Sequence, residues 1–267
     1  MPLPQVLVLA LVQGVAEFLP ISSTAHLYLA SWLFGWKPQD LDFDISLHLG
    51  TLLALVLYFL PDWIRTAAGA FSGASGPPLF WLLALGSVPV GIAGLAFKRQ
   101  AAHSWRNPRL MAVMLILVGI VMGLADRSIH EARGLASLGL PDAMTVGISQ
   151  ILALVPGTSR SGITITAGLF RGFSREAAAR FSFLLATPVI AAAAGHMLYA
   201  VHKRDGLRRM ANPEFLLAMA VSAGAGVAVI AGFLYYLRRA DLRPFVYYRV
   251  ISGIIVFALA SIRRPAG

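Results

Sequence analysis

The sequence has no cysteine, and only 13% of its 267 residues are charged. The lack of cysteine excludes disulfide bonds and cysteine chemistry. The low charge content argues against a soluble domain, which at this length would need far more polar surface to cover its core. Hydrophobic residues make up 58% of the chain, and mean hydropathy is +0.74. Because the charges fall between long apolar runs, we predict membrane spans joined by short loops.

Two further absences narrow the class of protein. The first twenty residues contain no Lys or Arg, so we expect no cleaved signal peptide. The net charge is +10, but no basic stripe interleaved with aromatic residues is present to bind nucleic acid. We assign the basic residues, including Arg249, to loops that face anionic lipid headgroups. They divide almost evenly between the two predicted membrane faces, so they do not orient the chain.

The chain repeats itself at an offset close to 136 residues. The matching pairs are Pro20 with Pro156, Ser23 with Ser159 and Pro108 with Pro244 at 136, and Gln13 with Gln150 at 137. Each match is weak alone, but their shared offset favours a duplicated unit, and such repeats place polar sites at their interface. We therefore predict one integral membrane domain over residues 1–267, with repeats at about 1–130 and 140–267.

Apolar segments divide each predicted repeat in the same way. Uninterrupted runs long enough to span a membrane lie at about 43–60, 79–97, 109–125, 178–200, 214–237 and 245–262. Two other segments, at about 3–35 and 143–171, are broken after Pro20 and Pro156. Backbone groups freed at such a break must be satisfied by protein or by a water-filled cavity. We interpret both segments as re-entrant helical hairpins.

The expected fold is an all-α polytopic membrane protein. It would contain two inverted-topology repeats, each a re-entrant helical hairpin plus three transmembrane helices. Inversion follows because each repeat then crosses the membrane an odd number of times. If the interrupted segments instead cross the bilayer, each repeat has an even number of spans and the two repeats are parallel.

The first interrupted segment carries a carboxylate, an amide, hydroxyl groups and an imidazole. Gln13 and Glu17 are four residues apart, and Ser22, Ser23 and His26 follow the break. A carboxylate inside an apolar segment is costly and is a candidate functional group, although a protonated contact between helices would also explain it. A serine near a histidine is the arrangement that activates a hydroxyl nucleophile. Taken alone, His26 would equally suit an ordinary buried histidine.

The second interrupted segment carries donors suited to an oxyanion. Gly157, Ser159, Arg160, Ser161 and Thr164 fall within nine residues of one another. Glycine lets the backbone approach an anion, hydroxyl and N–H groups donate to it, and a guanidinium binds phosphate bidentately. A helix that begins near Ser161 would direct its positive end to the same place. This pattern predicts an anion site of the phosphate type.

The two segments complement each other chemically. The carboxylate and amide of the first suit a hard divalent cation, and its hydroxyl groups suit nucleophilic attack. The second binds the phosphate. Together they indicate metal-assisted phosphoryl transfer on a membrane-borne phosphate ester or anhydride. The plainer alternative is a small-residue helix crossing in which Arg160 serves only to pair with Glu17.

Both segments resemble the motifs of the bacterial undecaprenyl-pyrophosphate phosphatases, a family associated with bacitracin resistance. The motif Glu/Gln-x-x-x-Glu followed by Pro-x-Ser-Ser-x-x-His stands here from Gln13 to His26. The motif Pro-Gly-x-Ser-Arg-Ser-x-x-Thr stands from Pro156 to Thr164, and the resemblance covers essentially the whole chain. It implies release of inorganic phosphate from undecaprenyl pyrophosphate in the bacterial cytoplasmic membrane. That reaction recycles the lipid carrier of peptidoglycan synthesis.

The resemblance also implies roles for individual residues. It places Glu17 at a magnesium or calcium ion or as an acid/base, with Gln13 as a second metal ligand. Ser23 is the candidate nucleophile, His26 is the alternative, and Arg160 is the pyrophosphate clamp. The residues expected to bind substrate beside Arg160 are Ser22, Ser159, Ser161, Thr164 and Gly157. Many members carry glutamate at the position of Gln13, so metal binding should be weaker here. Asp44 falls near another acidic position of the family.

One alternative function stays open at this point. Inverted repeats with broken helices are also the architecture of transporters, so a transporter or flippase of polyprenyl phosphates would share this fold. The hydroxyl and imidazole groups beside Glu17 favour an enzyme, because transport alone needs no nucleophile. The expected partners are undecaprenyl pyrophosphate and membrane lipids, with no nucleic acid. The sequence leaves open whether two copies of the chain form a homodimer.

Overall fold

A computed structural model gives the fold and describes residues 1–37, 41–70, 78–97, 99–100, 105, 107–128, 132–205 and 212–262. Within these ranges the chain forms helices and no named β-strand. The α-helices are α1 Leu3–Ala16, α2 Ser23–Phe34, α3 Leu41–Tyr58, α4 Leu60–Gly69, α5 Leu79–Ala96, α6 Pro108–Arg127, α7 Leu140–Ser149, α8 Arg160–Phe170, α9 Arg175–Asp205, α10 Pro213–Leu237 and α11 Arg243–Ile262. Short 3₁₀ turns cover Leu135–Ser137 and Gln150–Leu154.

The predicted spans are all helical in the structure. Five helices are long and apolar enough to cross a membrane, namely α5, α6, α9, α10 and α11. A sixth span is possible if α3 and α4, which are bent by 70° at their junction, are taken as one unit. Pro61 lies at the start of α4 and cannot continue the hydrogen bonding of α3. The chain is therefore an all-α polytopic membrane protein, as the sequence predicted.

Each interrupted segment is a pair of short helices that fold back on one another. The four α-helical arms contain 14, 12, 10 and 11 residues, which is about 15–21 Å at 1.5 Å per residue. None is long enough for a hydrocarbon core of about 30 Å. Because α1 packs on α2 and α7 packs on α8, the arms lie side by side. We call these segments hairpin 1 (residues 3–34) and hairpin 2 (residues 140–170).

Equivalent points of the two hairpins lie 137 residues apart. They are the helix starts Leu3 and Leu140, the helix starts Ser23 and Arg160, and the left-handed glycines Gly35 and Gly172 that follow α2 and α8. The prediction that Ser23 corresponds to Ser159 is therefore wrong by one residue. Ser22 is the counterpart of Ser159, because each directly precedes the second helix of its hairpin. The error arose because identical residues, such as Pro20 and Pro156, align at an offset of 136, one less than the 137 between equivalent backbone positions.

Elements of each half of the chain pack mainly against elements of the other half. Hairpin 1 packs on α10 through α1, and hairpin 2 packs on α5 through α7. In the same way α3 packs on α10 and α9 packs on α5, while α3 meets α9 and α6 meets α11. Each hairpin is thus held by the opposite half of the chain, which brings the two breaks together at the centre of the bundle.

Ion pairs place the open ends of the hairpins near opposite ends of α10. The amino group of Met1 pairs with Glu214 in the first turn of α10 at 2.8 Å. At the far end of α10, Arg238 pairs with Glu176 at 2.9 Å, and Glu176 lies in the first turn of α9, just after hairpin 2. These contacts support an inverted arrangement. Inversion of the two repeats as complete units stays a prediction.

Candidate active site

Both hairpin breaks end on a serine with the same unusual backbone conformation. Ser22 has φ 77° and Ser159 has φ 69°, the two positive-φ residues other than glycine in the described chain. Such a conformation costs on the order of 1–3 kcal/mol and persists only where the surroundings enforce it. Strain of this kind clusters at functional sites. The repeated strain marks the two breaks as one candidate site.

The two breaks enclose one polar cavity of about 100 Å³. Its wall is formed by Ala16, Glu17, Ser22, Ser23, Thr24, His48, Ala153, Val155, Pro156, Gly157, Ser159 and Arg160. Ser22 and Ser159 thus line the same cavity although they are 137 residues apart. The cavity brings together the carboxylate-bearing and the arginine-bearing segment, as the single-site interpretation of the sequence requires.

An ion pair between the hairpins forms the centre of the site. Arg160 Nη2 donates to Glu17 Oε1 at 2.8 Å, and both side chains are largely buried. Ser23 Oγ donates to the other carboxylate oxygen, Oε2, at 2.6 Å, and Gln13 Nε2 donates to the same oxygen at 3.2 Å. Pairing explains how two charged groups are tolerated at this depth. It also leaves Ser23 in direct contact with a potential proton acceptor.

The second helices of both hairpins direct their N-termini at the cavity. The first turn of α2 is not capped by the side chain of Ser22, so its N–H groups keep donor capacity. In α8, Ser159 Oγ accepts from Gly162 N at 3.1 Å and so satisfies only part of the first turn. A helix N-terminus carries partial positive charge and binds anions. Arg160 and these two helix ends lie at the same cavity, and anion binding there stays a prediction.

The remaining predicted substrate-binding residues divide into two groups. Ser22, Ser159 and Gly157 line the cavity. Gly157 adopts φ 94°, and a Cβ there would lie 2.5 Å from the carbonyl oxygen of Met111, so the close approach to α6 requires glycine. Ser161 and Thr164 are not part of the cavity wall. A role for these two in binding substrate stays a prediction.

Ser161 and Thr164 instead connect the structural elements around the site. Ser161 Oγ donates to the carbonyl oxygen of Leu19 at 3.0 Å and so joins the two hairpins. Thr164 Oγ1 shares a hydrogen bond of 2.7 Å with Ser182 Oγ, which joins α8 to α9. Both side chains are buried. Their contacts hold the cavity wall in place.

His26 is bonded away from Ser23 in this structure. Its Nδ1 lies 2.7 Å from the carbonyl oxygen of Ser22, and its Nε2 lies 2.5 Å from Tyr248 Oη. A carbonyl oxygen can only accept, so Nδ1 carries the proton and Nε2 accepts from the tyrosine. The rings of His26 and Tyr248 also stack at 5.6 Å. The predicted role of His26 in catalysis stays a prediction.

His48 lines the cavity and was not singled out from the sequence. Its Nδ1 lies 2.8 Å from the carbonyl oxygen of Asp44, which places the proton on Nδ1 and leaves Nε2 as the acceptor. The available signal was an ionisable residue inside a predicted span, which is a candidate functional group by default. Sequence spacing could not show that α3 faces the two breaks.

The sequence predicts that Arg249 lies in a loop that faces lipid headgroups, and that prediction is wrong. It lies within α11 and is fully buried. Its guanidinium donates to the carbonyl oxygens of Pro20 at 2.9 Å, Gly157 at 3.0 Å, Thr158 at 3.0 Å, Met114 at 3.2 Å and Leu115 at 3.2 Å. Arg249 therefore satisfies backbone groups freed at both hairpin breaks. The structure places it behind the cavity and not at the membrane surface.

The expected divalent cation fits the donor set in part. Within the described ranges no cluster of three or more His, Cys, Asp or Glu side chains is present. Both oxygens of Glu17 already accept hydrogen bonds. However, Gln13 Oε1 is buried and has no hydrogen-bond partner, and an amide oxygen is a suitable ligand for a hard cation. Binding of a cation by Glu17 and Gln13, completed by substrate oxygens, stays a prediction.

The fold defines a polytopic membrane protein, and its polar cavity joins a carboxylate, hydroxyl groups, a guanidinium and two helix N-termini. Residues 6–255 match the family described as "Bacitracin resistance protein BacA", and the chain belongs to that family.

Three relatives of similar length share the name "Undecaprenyl-diphosphatase". "Undecaprenyl-diphosphatase" of Pelotomaculum thermopropionicum is 41% identical over 97% of this chain and 97% of its own length. The proteins of the same name from Moorella thermoacetica and Geobacter metallireducens are 44% and 43% identical, over 97% and 92% of this chain and 98% and 94% of their own lengths.

Proposed function

We propose that this protein hydrolyses undecaprenyl diphosphate to undecaprenyl phosphate and inorganic phosphate in the bacterial cytoplasmic membrane. The relatives are named for this activity. The observation that carries the proposal is the cluster formed by Ser23, Glu17 and Arg160 across the two hairpins. The reaction would regenerate the lipid carrier of peptidoglycan synthesis, and it would account for bacitracin resistance in the family.

Hairpin 2 binds the diphosphate in this mechanism. Arg160 uses one Nη2 donor on Glu17 and keeps further N–H donors for substrate oxygens. The N-terminal turns of α2 and α8 add backbone donors and positive potential. Buried Arg249 lies behind the breaks and contributes an additional positive charge that no described carboxylate pairs with. These groups stabilise the negative charge that develops on the transferring phosphoryl group.

Hairpin 1 supplies the nucleophile and its base. Ser23 Oγ transfers its proton to Glu17 Oε2, to which it is already bonded, and attacks the terminal phosphorus. The bond from that phosphorus to the bridging oxygen breaks, and undecaprenyl phosphate leaves. Water then attacks the phosphoserine, inorganic phosphate is released, and the serine oxygen regains a proton. His26 remains the alternative nucleophile, but its Nε2 is bonded to Tyr248.

We further propose that Glu17 and Gln13 Oε1 hold a magnesium or calcium ion together with the substrate. When bound, the cation supplies charge neutralisation and polarises the phosphorus. Because Gln13 contributes no charge, the free protein should hold the ion weakly.

Phosphate release by the purified protein in detergent tests the proposed function. A transporter needs two compartments and would release no phosphate from undecaprenyl diphosphate, whereas a hydrolase would. Ser23→Ala should leave only a small residual rate of release, while Ser87→Ala is the matched control because Ser87 bonds only to the backbone of its own helix, α5. A Ser23→Ala protein as active as wild type would exclude Ser23 as nucleophile, and an inactive wild type would exclude hydrolysis.

A further inference from the structure

The mechanism given above leaves one proton transfer without a base. In the first step the Ser23 proton passes to Glu17, to which the hydroxyl is already bonded, and undecaprenyl phosphate departs. A phosphate monoester has its second pKa at about 6, so this leaving group departs as a stable anion and takes no proton from Glu17. Glu17 therefore still holds the proton when the phosphoserine has formed.

The second step needs an acid and a base at the same time. The Ser23 oxygen leaves phosphorus as an alkoxide, which is a strong base, and Glu17 Oε2 holds a proton at hydrogen-bond distance from it. The attacking water must lose a proton as it bonds to phosphorus. Glu17 gives its proton from Oε2 while Oε1 accepts from Arg160, so it does not serve as the base for water. A second base is required.

His48 is the one residue on the wall of the polar cavity that can be this base, within the part of the chain that the structure describes. The other ionisable residues of the wall are Glu17 and Arg160, and a guanidinium stays protonated. His26 does not line the cavity, and its Nε2 is bonded to Tyr248. A neutral imidazole, by contrast, carries a free lone pair on one nitrogen.

The lone pair of His48 is on the nitrogen that points away from its own helix. Nδ1 donates to the carbonyl oxygen of Asp44, one turn earlier in α3, at 2.8 Å, so Nε2 lies on the far side of the ring. Among the described residues Nε2 has no hydrogen-bond partner. The cavity volume of about 100 Å³ is well above the roughly 10–15 Å³ that one water molecule needs. Nε2 can therefore accept a proton from water in the cavity.

Packing fixes α3 on both sides of His48. Ser222 Oγ of α10 donates to the carbonyl oxygen of Leu47 at 3.1 Å. A Cβ on Gly50 would lie 2.5 Å from the carbonyl oxygen of Met219, also in α10, so glycine permits the close approach of the two helices. These contacts hold His48 at the cavity wall without occupying its side chain.

We propose that His48 is the general base that activates water for hydrolysis of the phosphoserine. Water bonds to phosphorus, and its proton passes to His48 Nε2. The bond from phosphorus to Ser23 Oγ breaks, and Glu17 returns its proton to that oxygen. His48 then gives its proton to the inorganic phosphate, which leaves as hydrogen phosphate.

The charges that develop in this step favour one another. The imidazolium of His48 forms as Glu17 regains its negative charge, and opposite charges at one cavity stabilise each other. The role of His48 rests on the proposed function, because the step acts on the phosphoserine that attack by Ser23 produces.

Rapid-quench kinetics separates the two steps. In His48→Gln the first step should keep its rate within about twofold, because water activation plays no part in it, while steady-state phosphate release should fall at least about a hundredfold. Undecaprenyl phosphate should then appear in a burst equal to the amount of protein, and phosphoserine should accumulate at Ser23, as measured by mass spectrometry. His202→Gln is the matched control, because His202 is exposed on α9 and does not line the cavity.

Chemical rescue distinguishes a lost base from a damaged fold. His48→Ala leaves space for a small base at the cavity wall, so added imidazole should raise steady-state phosphate release at least about tenfold. Pyrrole has a similar shape but no basic nitrogen and should have no effect. Equal rescue by pyrrole would show that the side chain of His48 only fills space.

Three further results would overturn the assignment. Full steady-state activity of His48→Gln would show that water needs no base at this position. Equal losses in the burst and in the steady state, with no rescue by imidazole, would show that His48 supports the cavity and not the second step. Phosphate release without phosphoserine in either protein would exclude the covalent step and this role with it. A wild type that releases no phosphate would instead exclude the proposed function itself.

Discussion

The two hairpins share a backbone and differ in the side chains placed on it. Each has a short helix, a break that ends on a positive-φ serine, and a second helix that starts one residue later. At that first helical position hairpin 1 has Ser23 and hairpin 2 has Arg160. Three residues further on, His26 in hairpin 1 corresponds to Ile163 in hairpin 2. Under the proposed mechanism, the same backbone arrangement therefore carries the nucleophile on one hairpin and the anion-binding side chain on the other.

This difference has an electrostatic reason. Two copies of the same hairpin would place like charges at the shared cavity, either two carboxylates or two guanidinium groups, and like charges at close range disfavour ionisation. The actual pairing of Glu17 with Arg160 avoids that problem. Under the proposed mechanism, one cavity can hold both a base and an anion clamp because the two hairpins carry different side chains.

The largest effect should come from the carboxylate that only hairpin 1 carries. Glu17→Gln removes the base that accepts the Ser23 proton, and turnover should vanish at any metal concentration. The equivalent position in hairpin 2 is Leu154, and Leu154→Gln should keep most of the activity. Phosphate release from undecaprenyl diphosphate measures both. Substantial turnover by Glu17→Gln would remove the assigned role of hairpin 1.

The proposed metal ligands also belong to hairpin 1, so metal dependence tests the role of that hairpin separately. Activity should be lost in excess chelator and return with magnesium or calcium, because Arg160 alone does not neutralise a diphosphate. Gln13→Glu adds an anionic ligand and should lower the cation concentration for half-maximal rate. A titration of rate against cation concentration measures this. Full activity in chelator would leave Arg160 and the helix N-termini as the charge stabilisers.

The next effect concerns the clamp on hairpin 2. Arg160→Lys keeps the charge but loses the planar fork, so kcat/KM should fall at least about a hundredfold, or roughly 2.7 kcal/mol. Arg171→Lys, at the other end of α8, is the control and should change activity little. Near-full activity of Arg160→Lys would show that Arg160 acts only as a counter-charge to Glu17.

Arg249 links the two breaks, so its loss should reduce stability strongly and activity less. Arg249→Met removes the donors to the carbonyl oxygens of Pro20, Gly157 and Thr158 at the two breaks, and each orphaned buried group costs about 1–3 kcal/mol. We expect the unfolding midpoint in detergent to fall by about 10 °C or more. Arg243→Met, an exposed residue at the start of α11, is the control. An unchanged midpoint would mean that the breaks hold together without Arg249.

The smallest expected effect concerns Gln13 and Gln150, which occupy equivalent positions in the two hairpins. Gln13 donates to Glu17, whereas both polar atoms of the fully buried Gln150 have no partner in the structure. Gln150→Leu should therefore stabilise the protein by about 1 kcal/mol and leave activity unchanged. Gln13→Leu should lower activity instead. Thermal unfolding and phosphate release measure the two outcomes, and destabilisation by Gln150→Leu would indicate a water or ion bound there.

Much of the architecture could be predicted from the sequence because it depends on local signals. Long apolar runs predict spans, and the residues after Pro20 and Pro156 predict breaks. The pairing of Glu17 with Arg160 was weighed as an alternative to a phosphate site, and the structure shows that the pair and the cavity coexist.

Contacts between distant elements could not be predicted in this way. His48 and Arg249 reach the site only because α3 and α11 pack around the hairpins. In the sequence, His48 lies in an ordinary predicted span, and Arg249 lies close to the start of another, where a loop residue is expected. The one-residue error at Ser22 has a similar cause, since identical residues aligned better at 136 than the equivalent backbone positions at 137. Whether the two repeats are inverted as wholes also depends on their placement in a membrane.

A double-mutant cycle between the hairpins tests most directly whether they form one catalytic unit. The measurement is kcat/KM for undecaprenyl diphosphate in wild type, Ser23→Ala, Arg160→Lys and the double variant. If Ser23 attacks a phosphoryl group held by Arg160, the double variant should be little slower than the slower single variant, because residues that act as a unit are strongly non-additive. Fully multiplicative losses would contradict the account, because they would show that the two hairpins act independently.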